Sequence, residues 1–196
     1  TFAATRGLNV SGVGTANILD SISGTTGNIA ISAGSVTQGD DISTTTGTVT
    51  VSATSGNIVM EDGDSTSTTT GTINYSANVS VLLSLLSSAS GDINVTANTG
   101  AIVDATASET ANLITTATAT LSAATGIGVP SSADDIDTTI ATLVATNSTS
   151  GDIAVEETNG LTIGGDGVRT LGAGGNIDID VAAGNLNVNS VVTADG

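Results

Sequence analysis

The side chains of this sequence that could do chemistry are almost all carboxylates. They gather as Asp40 and Asp41, as Glu61, Asp62 and Asp64, as Asp134, Asp135 and Asp137, and as Asp178 and Asp180. Paired carboxylates can cleave glycosidic bonds, one acting as acid and the other as base or nucleophile. Enzymes that do so on acidic sugars also bring cations to hold the substrate. This chain of 196 residues has no histidine, no cysteine and only two bases, Arg6 and Arg169. Zinc sites, disulfides and cysteine or histidine catalysis are therefore excluded. Asp178 and Asp180, two apart on one strand, read as a solvated face. The expectation is a protein that is not an enzyme.

A hard cation suits these groups better. Glu61-Asp62-Gly63-Asp64 offers three carboxylates around a turn, an oxygen-rich arrangement of the kind calcium takes. Gly164-Gly165-Asp166-Gly167 is similar to the glycine–aspartate turns of calcium-binding nonapeptide repeats, though it occurs once. Glu61, Asp62, Asp64 and Asp166 are thus the calcium candidates, and no other cofactor is expected. The formal net charge of −17 disfavours nucleic acid and anionic membranes as partners. The longest apolar run, Val79 to Leu86, is far short of the ~20 residues of a membrane span.

The elements that carry these residues are set by repetition. GNIAISA from Gly27, GTVTVSA from Gly47, GTINYSA from Gly71, GDINVTA from Gly91, GDIAVEE from Gly151 and GNIDIDV from Gly175 are one phrase. Each alternates apolar and polar residues, as a strand with one buried face does. With Gly7 and Gly196 the phrase glycines are spaced 20, 20, 24, 20, 60, 24 and 21 residues apart. Ala111-Asn112-Leu113 keeps the phase at one missing beat, and another is degraded near Ser131. A second beat, at Gly56, Gly100, Gly160 and Gly184, falls nine residues after a phrase glycine and opens a further strand of the same coil.

A unit of about 21 residues is too short for a propeller blade and lacks the helices of ankyrin or tetratricopeptide repeats. It predicts an all-β fold, a right-handed parallel β-helix of about nine coils of 20–24 residues. At ~4.8 Å per coil the rod would be roughly 43 Å long. The unbroken phase makes residues 1–196 one domain, with Thr1 to Arg6 a partial coil. Stacking the phrases puts Ile29, Val49, Ile73, Ile93, Leu113, Ile153 and Ile177 in one inward column. Ala33, Ala53, Ala77, Ala97 and Ala117 fill another, broken only by Glu157. Asn28, Asp92, Asn112, Asp152 and Asn176 form a polar column able to bond from coil to coil. Hydrophobic residues are 38% and aromatic residues 1%, so the interior must be thin. Two packed strands are expected to meet at Ser84, and Val129 to Asp137, with the only proline, to form a loop.

Threonine runs precede several phrase glycines: Thr25-Thr26, Thr44 to Thr46 and Thr68 to Thr70, with Ser88, Ser90, Ser148 and Ser150 in register. They read either as a corner ladder bonding to itself or as a flat hydroxyl face able to match ice.

Phrases such as SGDINVTANTGAIVDA, LSAATGIG and TSGDIAVEETNGLTIG resemble the repeats of very large bacterial exoproteins of the filamentous-haemagglutinin type. The resemblance runs from Gly7 onward. It implies export to the bacterial surface or beyond, a β-helix, and a role as adhesin shaft or fibre. With no capping helix at either end, the coils are expected to stack head to tail on neighbouring repeats or further copies. The expected function is a non-enzymatic structural solenoid of an extracellular fibre or adhesin shaft. An ice-binding solenoid is the alternative.

Overall fold

The computed structural model describes residues 2–4, 7–107, 110–130, 133–172 and 174–195, the first three as backbone. Arg6, Ser131 and Gly196 lie outside the described residues. Among the described residues every regular element is a strand, and every strand pairing is parallel. The chain is a β-solenoid with three faces.

The long face stacks β2 (Leu8–Ser11), β5 (Ile29–Ala33), β8 (Val49–Ala53), β11 (Ile73–Ala77) and β14 (Ile93–Ala97). It continues through the second halves of β16 (Leu113–Ala123) and β17 (Ile136–Asn147), then β19 (Leu161–Thr170), β21 (Leu186–Val188) and β22 (Val192–Ala194). A short face stacks β3 (Thr15–Ile18), β6 (Ser35–Gln38), β9 (Ile58–Met60), β12 (Val81–Leu83) and β15 (Ile102–Asp104). Bridges from Ile102 through Ile127 carry it to β18 (Ile153–Glu157) and β20 (Ile177–Val181). The other short face holds β1 (Phe2–Ala4), β4 (Ile22–Gly24), β7 (Ile42–Thr44), β10 (Ser65–Thr68) and β13 (Leu85–Ser88), followed by the first halves of β16 and β17. The pairing of β1 on β4 bears out a partial coil at the N-terminus. The strands meeting at Ser84 are also present, and β17 begins at Ile136, so Ile136 and Asp137 of the expected loop are strand.

On the long face Val10, Ile31, Val51, Tyr75, Val95, Leu121, Ala145, Val168 and Val192 stand in one column. These nine rungs make eight turns of 20 to 26 residues, one turn fewer and slightly longer than the phrase spacing predicts. In β5, β8, β11 and β14 burial alternates strictly, so the β-branched residues line the interior and Ser, Thr and Asn face out.

The phrase changes face along the chain, and this corrects the predicted columns. Ile93 stacks on Ala119, not Leu113. Leu113 instead stacks on Leu86, across the corner. Ile153 and Ile177 belong to the short face above Ile102 and Ile127, while the strands after Gly160 and Gly184 take over the long face. The alanine column passes from Ala97 to Ala123, Asn147, Thr170 and Ala194 rather than to Ala117, and Glu157 stands between Thr138 and Val181. Two inserted segments, 105–112 and 128–135, shift the phase. Either phrase strand can take either face because the two share the same inward alternation.

The recurrent glycine has a steric cause. A Cβ on Gly71 would lie 1.9 Å from the Gly47 carbonyl oxygen, and one on Gly91 would lie 2.1 Å from that of Gly71. The corner coils touch backbone to backbone there, leaving no room for a side chain.

Candidate functional site

The threonine runs divide at the corner. Thr44, Thr68 and Ser88 are buried. Their hydroxyls donate to the carbonyls of Gly27 (3.2 Å), Gly47 (3.3 Å) and Gly71 (2.9 Å) in the coil before. Thr115 does the same to Gly91 at 2.7 Å. These hydroxyls are spent on a corner ladder. The polar column has the coil-to-coil role expected of it. Asn28 Oδ1 accepts from the Thr48 N–H at 2.9 Å, Asp92 Oδ1 from Thr118 at 3.1 Å, and Asp152 Oδ1 from Asn176 at 2.6 Å.

Three polar groups meet in the interior at Tyr75. Its hydroxyl lies 2.6 Å from Thr66 Oγ1 and donates to Gln38 Oε1 at 2.6 Å. The Gln38 amide donates in turn to the Ser65 carbonyl at 3.0 Å. Burial raises the Tyr75 hydroxyl well above its ordinary pKa, keeping it a neutral donor. Glu157 is also fully buried. It accepts from Thr138 Oγ1 at 2.7 Å, the Ile140 N–H at 3.0 Å and the Asn159 N–H at 3.1 Å.

The carboxylates outside form a feature that only stacking creates. Between the two short faces the chain turns a corner, and Asp20, Asp40, Asp41, Glu61, Asp62, Asp64, Asp104, Asp134, Asp135, Asp137, Glu156, Asp178 and Asp180 all lie on or beside it. That is 13 of the chain's 19 acidic residues, arrayed along one edge. The signal was in the sequence as an acid recurring at the coil period. Alignment on the phrase glycines hides it, because the acids fall at varying distances from those glycines.

Glu61, Asp62 and Asp64 sit together in one turn of this edge, with Gly63 at φ +91° and the Asp64 N–H on the Glu61 carbonyl at 3.1 Å. Burial, reinforced by Glu61, Asp41 and Asp40, pushes the Asp64 carboxyl above its ordinary value. Asp166 is not brought to them. It lies several turns further along, in a bulge of the long face, 4.0 Å from the Arg169 guanidinium. Among the described residues, the carboxylates that do converge are Asp135, Asp137 and Glu156, with ligand atoms within 4.8 Å of one another. Asp135 and Glu156 border a groove beside Pro130 that Asp178 and Asp180 also line. Three carboxylate oxygens so placed are the groups best able to hold a hard cation.

The two end rungs are a different kind of surface. Among the described residues, β2 and β3 have a strand on one side only, as do β20, β21 and β22. A largely apolar groove opens at the N-terminal rung, walled by Val10, Ile18, Leu19 and Ile31 with Asn17 and Asp20 beside them. Compared with protein-family models, curated proteins and solved structures, the chain matches none.

Proposed function

We propose that this chain is a non-enzymatic structural rod, a segment of an extracellular bacterial fibre or adhesin shaft. The observation that carries the reading is the unbroken column from Val10 to Val192. Backbone ladders run through eight turns, interrupted only by bulges at Thr115–Thr118 and within β19, so bending or stretching the rod must disturb many hydrogen bonds together. The acidic edge and the net charge of −17 keep such rods soluble and apart. Extracellular placement rests on the resemblance of the phrases to exported repeats. Immunogold labelling of intact producing cells tests it: threads or rods outside the envelope are expected, and label confined to the cell interior would overturn it.

Ice binding keeps one support. Ser11, Ser32, Ser52, Ser76, Thr96, Ser122 and Thr146 form an outward hydroxyl column on the long face. Thermal hysteresis at high protein concentration separates the two functions, since a shaft segment produces none.

A further inference from the structure

The corner between β18 and β19 carries an asparagine followed by glycine, Asn159-Gly160, a pairing that occurs once in the chain. Both residues are exposed. The backbone nitrogen that follows an asparagine can attack the side-chain carbonyl carbon, and a glycine there, with no Cβ, leaves the approach open. At Asn28 and Asn57 the fold closes this route. Each precedes a β-branched isoleucine whose N–H is tied to the next coil, Ile29 to the Thr48 carbonyl at 2.9 Å and Ile58 to that of Ser80 at 3.0 Å. Asn159 differs on both counts. Among the described residues neither its side-chain amide nor the Gly160 N–H has a hydrogen-bond partner.

We propose that Asn159-Gly160 is a self-modification site, where the folded chain converts to isoaspartate or aspartate without an enzyme. The Gly160 nitrogen bonds to the Asn159 side-chain carbonyl carbon, an attack between neighbours already in place. The C–N bond of the side-chain amide breaks, and the departing NH2 leaves as ammonia with the proton that the Gly160 nitrogen gives up. Water then opens the cyclic imide. Opening at the former side-chain carbonyl restores an ordinary chain with aspartate. Opening at the main-chain carbonyl gives isoaspartate, with the backbone running through the former side chain. Overall, an amide and a water become a carboxylic acid and ammonia, with no oxidation or reduction.

The fold gives the isoaspartate product a consequence. The Asn159 N–H donates to Glu157 Oε1 at 3.1 Å, and the Leu161 N–H donates to the Asn185 carbonyl at 3.0 Å. Isoaspartate lengthens the main chain between these two anchors by one carbon. The added length must displace an anchor or buckle the corner, in the turn where the faces exchange. Conversion therefore loosens the β18–β19 junction with time, and it adds a carboxylate to a chain already at −17.

The test incubates the folded 196-residue chain in mildly alkaline buffer and maps its peptides by mass spectrometry over time. The peptide holding Asn159 should gain the mass difference between an amide and an acid, and electron-transfer fragmentation should find isoaspartate in it. Peptides holding Asn28 or Asn57 should stay unchanged. Gly160→Ala should slow the conversion several-fold. The structure has room for it, since the nearest atom to the added Cβ is the Asn185 carbonyl oxygen at 3.4 Å. Asn159→Gln, which keeps the backbone N–H on Glu157, should stop the conversion at this corner. The same chain unfolded in urea sets the rate of the unconstrained segment, and the folded chain should come within a few-fold of it. A folded chain that stays intact while the unfolded one converts, a Gly160→Ala rate equal to the parent's, or equal conversion at Asn28 would each overturn the site. Hydrogen exchange at Leu161 reads the consequence: it should quicken in the converted chain, and unchanged protection would overturn the coupling to the junction.

Discussion

At the level of single residues, buried polar groups here depend on partners in neighbouring coils. Tyr75→Phe removes the 2.6 Å donor to Gln38 Oε1 and leaves that buried acceptor only the longer bond from Thr66 Oγ1 at 3.3 Å. The expected cost is about 1–3 kcal/mol by urea denaturation. Adding Gln38→Leu should recover part of it, since an apolar pair needs no partners. A full cost retained in the double variant would mean that packing around the ring, not the hydrogen bond, is what was lost. Steric room gives a second test. Gly71→Ala drives a Cβ into the Gly47 carbonyl and should destabilise by roughly 1–3 kcal/mol, whereas Gly12→Ala meets nothing within 4 Å and should be near neutral. Equal melting temperatures for the two variants would refute the close-contact explanation of the phrase glycine.

Among the elements, the decisive event is the exchange of faces between β14 and β18. In the earlier turns a corner carrying acids separates the two short faces, as residues 39–41 do between β6 and β7. In the seventh turn the single strand β18 crosses that corner, and its last residue, Glu157, pairs with Thr138 of the other short face. Glu157 ties the new path to the old one through Thr138, Ile140 and Asn159. Glu157→Ala should strand these donors and cost about 3 kcal/mol, with hydrogen exchange quickening first in β17 and β18. Unchanged protection there would show that the three bonds do not hold the junction. The connections from Asp104 to Leu113 and from Ile127 to Ile136 are longer than that from β6 to β7, and Asp135 lies beside Glu156.

For the molecule as a whole, charge and stability are coupled through the acidic edge. Carboxylates on successive rungs repel, and at Asp64 burial first, then repulsion from Glu61, Asp41 and Asp40, raises the pKa. A carboxyl that holds its proton more tightly folded than unfolded stabilises the folded chain as pH falls through its folded pKa towards the ordinary 3.8, and that gain is lost above the folded pKa. The melting temperature should therefore rise as pH falls towards 3.8, and added salt at pH 7 should raise it as well by screening. A melting temperature that falls steadily over this acid range would mean that the edge is held by attractive contacts instead of strained by repulsion.

Much of this could be read without coordinates. Two-residue alternation and a period near 21 suffice for a parallel solenoid with a thin aliphatic interior, because side-chain burial in a strand depends on local order alone. The meeting of strands at Ser84, the loop around Pro130 and the coil-to-coil role of Asn28, Asp92 and Asp152 were legible for the same reason. The assignment of Leu113, Ile153 and Ile177 to faces was not, since phrase strands of equal pattern fit any face and only inter-coil hydrogen bonding sets the register. The acidic edge likewise needed that register before residues some 20 apart could be seen as neighbours. Sequence by itself determined which side of each strand is dry. Tertiary structure alone decided which strand lies above which, because a parallel ladder is a contact between residues a full turn apart and its register depends on how much chain each corner takes up.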